Sequence, residues 1–255
     1  MNMQKLLKIV QETDRIFFDD VLRGDVRQKG DADFVTQADI SISTYLHKRL
    51  ATEFPHIGFV SEEEEAAQCT SPAYWILDPI DGTTNFMYGI NLCAVSLALC
   101  ENGEITAGII YVPYTKELFW AQKGEGAYLN GTRIFCSNAA PLNNCLSAFE
   151  LNPYYKSEYR AALAHTEKLY RNCRDVRVFG CAAVSCAYVA CGRTDVFFGR
   201  YLKPWDYAAG VILVQEAGGR VSDLNGTLNI TVPRQHIVAT NNAVFEEYRA
   251  LLQKV

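Results

Sequence analysis

The stretch Trp75-Ile76-Leu77-Asp78-Pro79-Ile80-Asp81-Gly82-Thr83-Thr84-Asn85-Phe86 decides how the rest of the chain is read. Its apolar start reads as a buried strand that delivers Asp78 to its end. Pro79 and Gly82 favour a tight turn, which brings Asp81 back beside Asp78. Two carboxylates held that close repel, and the repulsion raises the proton affinity of one of them. A hard divalent cation removes the penalty, and Mg²⁺ prefers oxygen ligands. An Asp-Pro-x-Asp-Gly segment is also a good turn without any metal, so this fragment alone leaves both readings open.

Upstream, Met3 to Arg23 carries apolar residues at helical spacing and predicts one amphipathic helix. A polar loop is expected from Gly24 to Phe34. A second helix is expected from about Asp39 to Glu53, with Thr36 and Asp39 as its capping box. Phe59-Val60 predicts a short strand that runs into the acidic stretch Glu62 to Glu65. Downstream, Leu92–Cys100 and Ile105–Val112 flank Asn102-Gly103, a strong hairpin signal. Short strands near 118–121, 127–129 and 133–136 continue the meander. After Pro141 the pattern changes. Strands near 146–149, 176–178, 196–198, 220–222 and 237–239 alternate with helices near 157–170, 181–191, 206–216 and 242–253. The fold class expected is α/β, with an α+β half over residues 1–140 and an α/β half over 141–255 that share an interface.

The chain of 255 residues is long enough to bury a substantial core, and 49% of it is hydrophobic. With a formal net charge of −5 and no basic stripe, nucleic acid is not an expected partner. The N-terminus does not read as a signal peptide, and the longest apolar run is too short to cross a bilayer, so a cytoplasmic protein is expected. The nine cysteines include no Cys-x-x-Cys pair and read as buried free thiols.

Three further segments bear on the metal question: Asp33-Phe34-Val35-Thr36-Gln37-Ala38-Asp39, Ser61-Glu62-Glu63, and Trp205-Asp206 followed by Glu216-Ala217-Gly218-Gly219. Each has an ordinary explanation. Asp39 is a helix cap, Glu62 to Glu65 a solvated charge run, and Asp206 a partner for a helix dipole. Taken together, in this order and spacing, the four segments resemble the inositol monophosphatase family of Mg²⁺-dependent, lithium-sensitive sugar phosphatases. The resemblance covers nearly the whole chain and implies the layered α-β-α-β-α sandwich of that superfamily.

It also implies roles. Glu62, Asp78 and the carbonyl of Ile80 resemble the ligands of one Mg²⁺, and Asp78, Asp81 and Asp206 those of a second. Asp39 and Thr83 resemble the pair that orients and deprotonates the attacking water, with Glu62 also in the catalytic set. Gly82 and Thr83 would hold phosphate oxygens, while Gly180, Cys181 and Ala182 would face the substrate. Arg200 or Lys203 is a candidate for a second anionic group. Two departures bear on substrate choice. Cys181 stands where inositol-specific relatives have a hydroxyl, and Gly199 stands where they have an acid, so weak discrimination among small sugar and polyol phosphates is expected. Fructose 1,6-bisphosphate, 3′-phosphoadenosine 5′-phosphate and histidinol phosphate are alternative substrates, and a non-catalytic binding homologue is the alternative from another class. The expected partner is a small phosphate ester, with no membrane, and the resemblance implies a homodimer.

Overall fold

The computed structural model describes residues 2–30, 33–64 and 71–253. Cys69 and Glu65, the last residue of the expected acidic run, lie outside the described residues. In place of one N-terminal helix there are three, α1 (Met3–Gln11), α2 (Asp14–Phe17) and α3 (Asp20–Gly24). The hydroxyl of Thr13 donates to the Val10 carbonyl at 2.6 Å, and Asp19 accepts from the amides of Val21 and Leu22. Such side chains satisfy the local backbone and interrupt a continuous helix. The stretch expected as a polar loop pairs as a hairpin of β1 (Val26–Gly30) and β2 (Asp33–Thr36). Its residues are too polar to show strand alternation. The expected capping box opens α4 (Gln37–Glu53): the Thr36 amide donates to Asp39 Oδ2 at 2.8 Å, and the Asp39 amide faces Thr36 Oγ1 at 3.4 Å.

Seven strands follow, interrupted by one short helix: β3 (Gly58–Ser61), β4 (Ala73–Asp81), α5 (Thr83–Met87), β5 (Ala94–Glu101), β6 (Glu104–Val112), β7 (Glu117–Gln122), β8 (Gly126–Leu129) and β9 (Thr132–Ile134). They form one sheet in chain order, in which β3 and β4 are parallel and the other pairs antiparallel. The second sheet is interleaved with helices: β10 (Leu146–Glu150), α6 (Tyr159–Asn172), β11 (Asp175–Arg177), α7 (Ala182–Ala190), β12 (Val196–Leu202), α8 (Pro204–Glu216), β13 (Arg220–Ser222), β14 (Gln235–Thr240) and α9 (Phe245–Leu252). Its order is β11-β10-β12-β14-β13. The first three strands in that order are parallel, while β14 runs antiparallel to both neighbours.

Strand periodicity distributes the core. On β4, Trp75 and Leu77 pack with α1 and α4, whereas Ile76 packs with α7 and α8 on the other face. On β12, Phe197 joins that central layer, while Val196 and Phe198 pack outward with Leu169 of α6 and Tyr248 of α9. The result is the expected α-β-α-β-α layering. Because α8 lies between two sheets, it is buried without a break from Tyr207 to Val214. The described cysteines are all free, and no helix among the described residues is long and apolar enough to cross a membrane.

The position of α8 depends on a close approach to β6. A Cβ placed on Gly108 would lie 2.6 Å from Ile212 Cγ2 and 2.7 Å from the Ala209 carbonyl oxygen. Gly108→Ala should therefore lower stability by about 1–3 kcal/mol through overpacking. Urea unfolding tests this; an unchanged midpoint would show that the two elements are not held at this separation.

Candidate active site

Asp78 and Asp81 share one cleft because β4 is bulged. Asp78 pairs with Ser96 and Asp81 with Ala94, so three steps on β4 face two on β5. Without the extra residue, side chains three apart would fall on opposite faces of the sheet. Pro79, which has no N–H to give to a ladder, sits inside this bulge. The Ile80 amide donates to Asp78 Oδ1 at 3.1 Å, and the Thr83 hydroxyl donates to the Ile80 carbonyl at 3.0 Å. Gly82 turns the chain into α5 with φ of +84°, and a Cβ there would stand 3.0 Å from the Gly180 carbonyl oxygen. Both facts favour glycine.

The other acids arrive from separate elements. Glu62 follows β3, whose parallel register with β4 sets Ser61 beside Leu77, and its amide donates to the Leu77 carbonyl at 3.1 Å. Asp206 lies in the first turn of α8 and accepts from the Lys203 amide at 2.8 Å. With Ile80, Gly82, Thr83, Gly180, Cys181 and Ala182, these four acids line one cleft of about 290 Å³.

One expected site residue, Arg200, lies elsewhere. Arg200 alternates with Gly199 on β12 and falls on the outer face with Phe198. It is 4% exposed, bonds His165 Nδ1 at 2.8 Å and donates to Glu158 Oε2 at 3.0 Å. It therefore does not line the cleft. Asp39 is 1% exposed and is engaged by the hydroxyl and amide of Thr36. Thr83 bonds the Ile80 carbonyl, so the expected Thr83–Asp39 pair has no direct hydrogen bond. Cys181 does line the cleft, but its thiol donates to Asp81 Oδ2 at 3.1 Å. A Cβ at Gly199 would fall 2.4 Å from Leu202 Cδ1, so an acid there would require the Leu202 side chain to shift.

Glu150 was missed. It ends the apolar strand β10, as Asp78 stands near the end of β4, and that resemblance was the available signal. It lines the cleft, pairs in register with Gly199, and is 7% exposed. Its carboxyl accepts from the Ser185 hydroxyl at 2.8 Å and the Gly180 amide at 3.1 Å. It thereby fixes the turn from which the Ala183 amide and the Cys181 thiol reach Asp81. Across this turn the Asn85 side-chain amide bridges the carbonyls of Leu92 and Phe179, each at 2.7 Å.

The electrostatics follow from depth and from like charge. Burial, then the charges of Glu62, Asp81, Asp206 and Asp39, hold the Asp78 carboxyl well above the usual range. Asp81 and Asp206 keep part of their surface open to the cleft but are surrounded by protein, and burial pushes each up to about 7. The Ala183 amide and Cys181 thiol oppose the rise at Asp81, and the Lys203 amide with the charges of Lys203 and Arg234 opposes it at Asp206. Burial also raises Asp39 and Glu150 to about 7. Among the described residues no three His, Cys, Asp or Glu side chains close into a ready-made ligand cage. The donor set is nonetheless all oxygen and carries charge that a hard divalent cation would offset, so the residues fit Mg²⁺.

A carboxyl whose folded pKa lies above its unfolded value stabilises the fold fully only below the unfolded value. It loses that contribution as pH climbs through the folded one. For Asp39, Asp81, Glu150 and Asp206 that loss runs from the ordinary carboxylate range up to about 7, so only its last part falls above pH 6.5. Burial lowers His165 and His236, so their opposite effect is nearly complete above the ordinary histidine value of 6.5. The metal-free protein should therefore melt at a lower temperature at about pH 8 than at about pH 6.5, and Mg²⁺ should stabilise it more at the higher pH. Differential scanning calorimetry with chelator and with Mg²⁺ tests this. A metal-free melting temperature that rises over the interval would contradict it.

The inositol monophosphatase family model matches residues 2–255. An inositol-1-monophosphatase of Caulobacter vibrioides is 38% identical over 227 residues, which cover 88% of this chain and 89% of the relative. The Nus factor SuhB of Escherichia coli K12 is 39% identical over 219 residues, or 85% of this chain and 81% of that one. Among solved structures, the Bartonella henselae extragenic suppressor protein suhB superposes with a TM-score of 0.91 at 36% identity, covering 99% of this chain and 98% of that one. The Thermotoga maritima IMPase gives 0.88 at 30% identity, covering 99% and 96%. Sequence, layering and cleft agree: this chain belongs to the inositol monophosphatase family and is a phosphatase.

Proposed function

We propose that this phosphatase uses Mg²⁺ to hydrolyse a small phosphate monoester, an inositol monophosphate or a related sugar or polyol phosphate. One observation carries the reading: Glu62, Asp78, Asp81 and Asp206 arrive in one cleft from three separate elements. Glu62, Asp78 and the Ile80 carbonyl would hold one ion, and Asp78, Asp81 and Asp206 a second. When bound, Mg²⁺ neutralises phosphoryl charge, acidifies the attacking water and stabilises the leaving oxygen.

The chain's own groups position and deprotonate. Gly82 and Thr83 open α5 at the cleft, where backbone N–H groups suit phosphate oxygens. The Thr83 hydroxyl, while donating to the Ile80 carbonyl, keeps lone pairs that can accept a hydrogen bond from the attacking water. Asp39, at about 7, suits a proton acceptor near neutral pH. Gly180, Cys181 and Ala182 border the alcohol side of the substrate, and Glu150 acts as a positioning residue through their turn. Arg200 has no part in the site.

The relative named inositol-1-monophosphatase supports an inositol phosphate as substrate. Gly199 and the Cys181 thiol supply no strong polar contact to a polyol ring, which favours weak discrimination among small phosphate esters. The name Nus factor borne by another relative would point to a binding role, but the complete carboxylate set favours the enzymatic reading. A homodimer belongs to the proposal on the strength of the family resemblance alone.

Release of phosphate from glycerol 2-phosphate and myo-inositol 1-phosphate should require Mg²⁺. Asp81→Asn should lower kcat/KM by about a hundredfold or more, because the substitution keeps the shape and removes ligand charge. Full turnover after exhaustive chelation, or a variant close to wild type at modest Mg²⁺, would refute the metal assignment.

A further inference from the structure

Beyond its acids, the cleft has a hydrocarbon wall. Leu151, Pro153 and Tyr154 line it, all from the segment that follows β10. Leu151 is 46% exposed and Tyr154 41%, so each keeps a large share of its surface open. Apolar side chains left open in a concave site mark a place where a ligand is held. The wall is fixed in position. The Asn152 side-chain amide donates to the carbonyls of Arg200 and Tyr201, each at 3.2 Å, and its oxygen accepts from the Tyr154 amide at 3.0 Å. Behind it, Tyr155 and Tyr201 stack with ring centres 4.6 Å apart, and the Tyr201 hydroxyl donates to Glu158 at 2.6 Å. The Lys203 ammonium lies 5.7 Å from the centre of the Tyr154 ring and 3.9 Å from Glu62 Oε1, which sets that ring close to the acids.

The polar groups around this wall are already engaged. Both amide hydrogens of Asn152 point to backbone carbonyls. Lys203 faces Glu62 and lies over the rings of Tyr154 and Trp205. Arg234 hydrogen-bonds the Tyr155 hydroxyl and lies 5.4 Å from that ring's centre. Glu150, directly before Leu151, accepts from Ser185 and the Gly180 amide. Cys181 and Ala182, which also line the cleft, add a weak hydrogen-bonder and a methyl group. A substrate hydroxyl against this wall would give up water for little return. A hydrocarbon ring would gain by leaving water, and its face can stack on a tyrosine.

We propose that Leu151, Pro153 and Tyr154 form a specificity wall for the leaving alcohol and that it takes an aromatic ring, so that phosphate esters of aryl-alkyl alcohols are preferred to those of simple alcohols. The proposal concerns the alcohol alone and rests on the phosphatase reading given above.

Ethyl phosphate and 2-phenylethyl phosphate differ by the ring at issue, and both release an unactivated primary alcohol. Wild type with Mg²⁺ should favour the phenylethyl ester in kcat/KM by about tenfold or more, the range for burying one large apolar group. Leu151→Ser should lower that preference by about threefold or more while leaving ethyl phosphate within about twofold of wild type. Leu151→Met, which keeps an apolar side chain of similar volume, should retain most of it. Leu151 stands half open, so neither substitution empties the core. Equal wild-type activity on both esters, or an equal loss on both in Leu151→Ser, overturns the wall. Turnover of ethyl phosphate with Mg²⁺ in the same assay reports on the phosphatase reading separately. An enzyme that hydrolyses it but shows no preference loses only the wall, and one that hydrolyses neither ester loses both readings. Tyr154 is left intact because its ring lies against Lys203, which contacts Glu62.

Discussion

Asp78, Asp81 and Asp206 give up hydration inside one cleft, and none of them is a counter-charge for another. Burial raises each carboxyl most, and neighbouring acids raise all three further. Much of the fold serves to hold this arrangement in place. The bulge in β4 puts Asp78 and Asp81 on one side of the sheet. Close contact of α8 with Gly108 of β6 holds the helix that presents Asp206. The parallel step from β3 to β4 sets Glu62 beside them. Such an arrangement costs stability for the sake of function, a common relation between the two.

Hydrogen bonds supply part of the compensation. Asp81 accepts from the Ala183 amide and the Cys181 thiol, and the turn carrying both is tied down by Glu150 and Asn85. Burial pushes the Cys181 thiol well above its ordinary range, so it acts as a neutral donor to Asp81. A hydroxyl at that position would donate more strongly. The thiol therefore offsets less of the repulsion at Asp81 than a hydroxyl would.

Charge in the cleft is divided between its parts. Acids come from the ends of β3, β4 and β10 and the first turn of α8, and cations from the end of the β12–β14 ladder. Cations bound by the acids would attract a phosphate. This division arises with a net chain charge of −5, so local placement, not overall charge, must draw an anionic substrate in.

The sequence by itself determined the segments that carry chemistry. An apolar run ending in Asp-Pro-Ile-Asp-Gly, two further acidic motifs and the alternation of strand and helix periods are local properties, and local spacing sets the position of Asp78, Asp81 and Asp206 along the chain. It did not determine which side chains meet. Arg200 and Lys203 are three apart, yet one packs outward against His165 and the other faces the cleft, because strand alternation and the ladder's end decide direction. Glu150 reaches the site only because β10 pairs with β12, which follows it by dozens of residues. The breaks among α1, α2 and α3 turn on single side chains, Thr13 and Asp19, competing for backbone groups. Thr83 could be read as a partner of Asp39 from the motif, but its hydroxyl finds the nearer Ile80 carbonyl across the turn. Contacts of this kind depend on register and packing between distant segments, and those are fixed only when the whole chain closes its core.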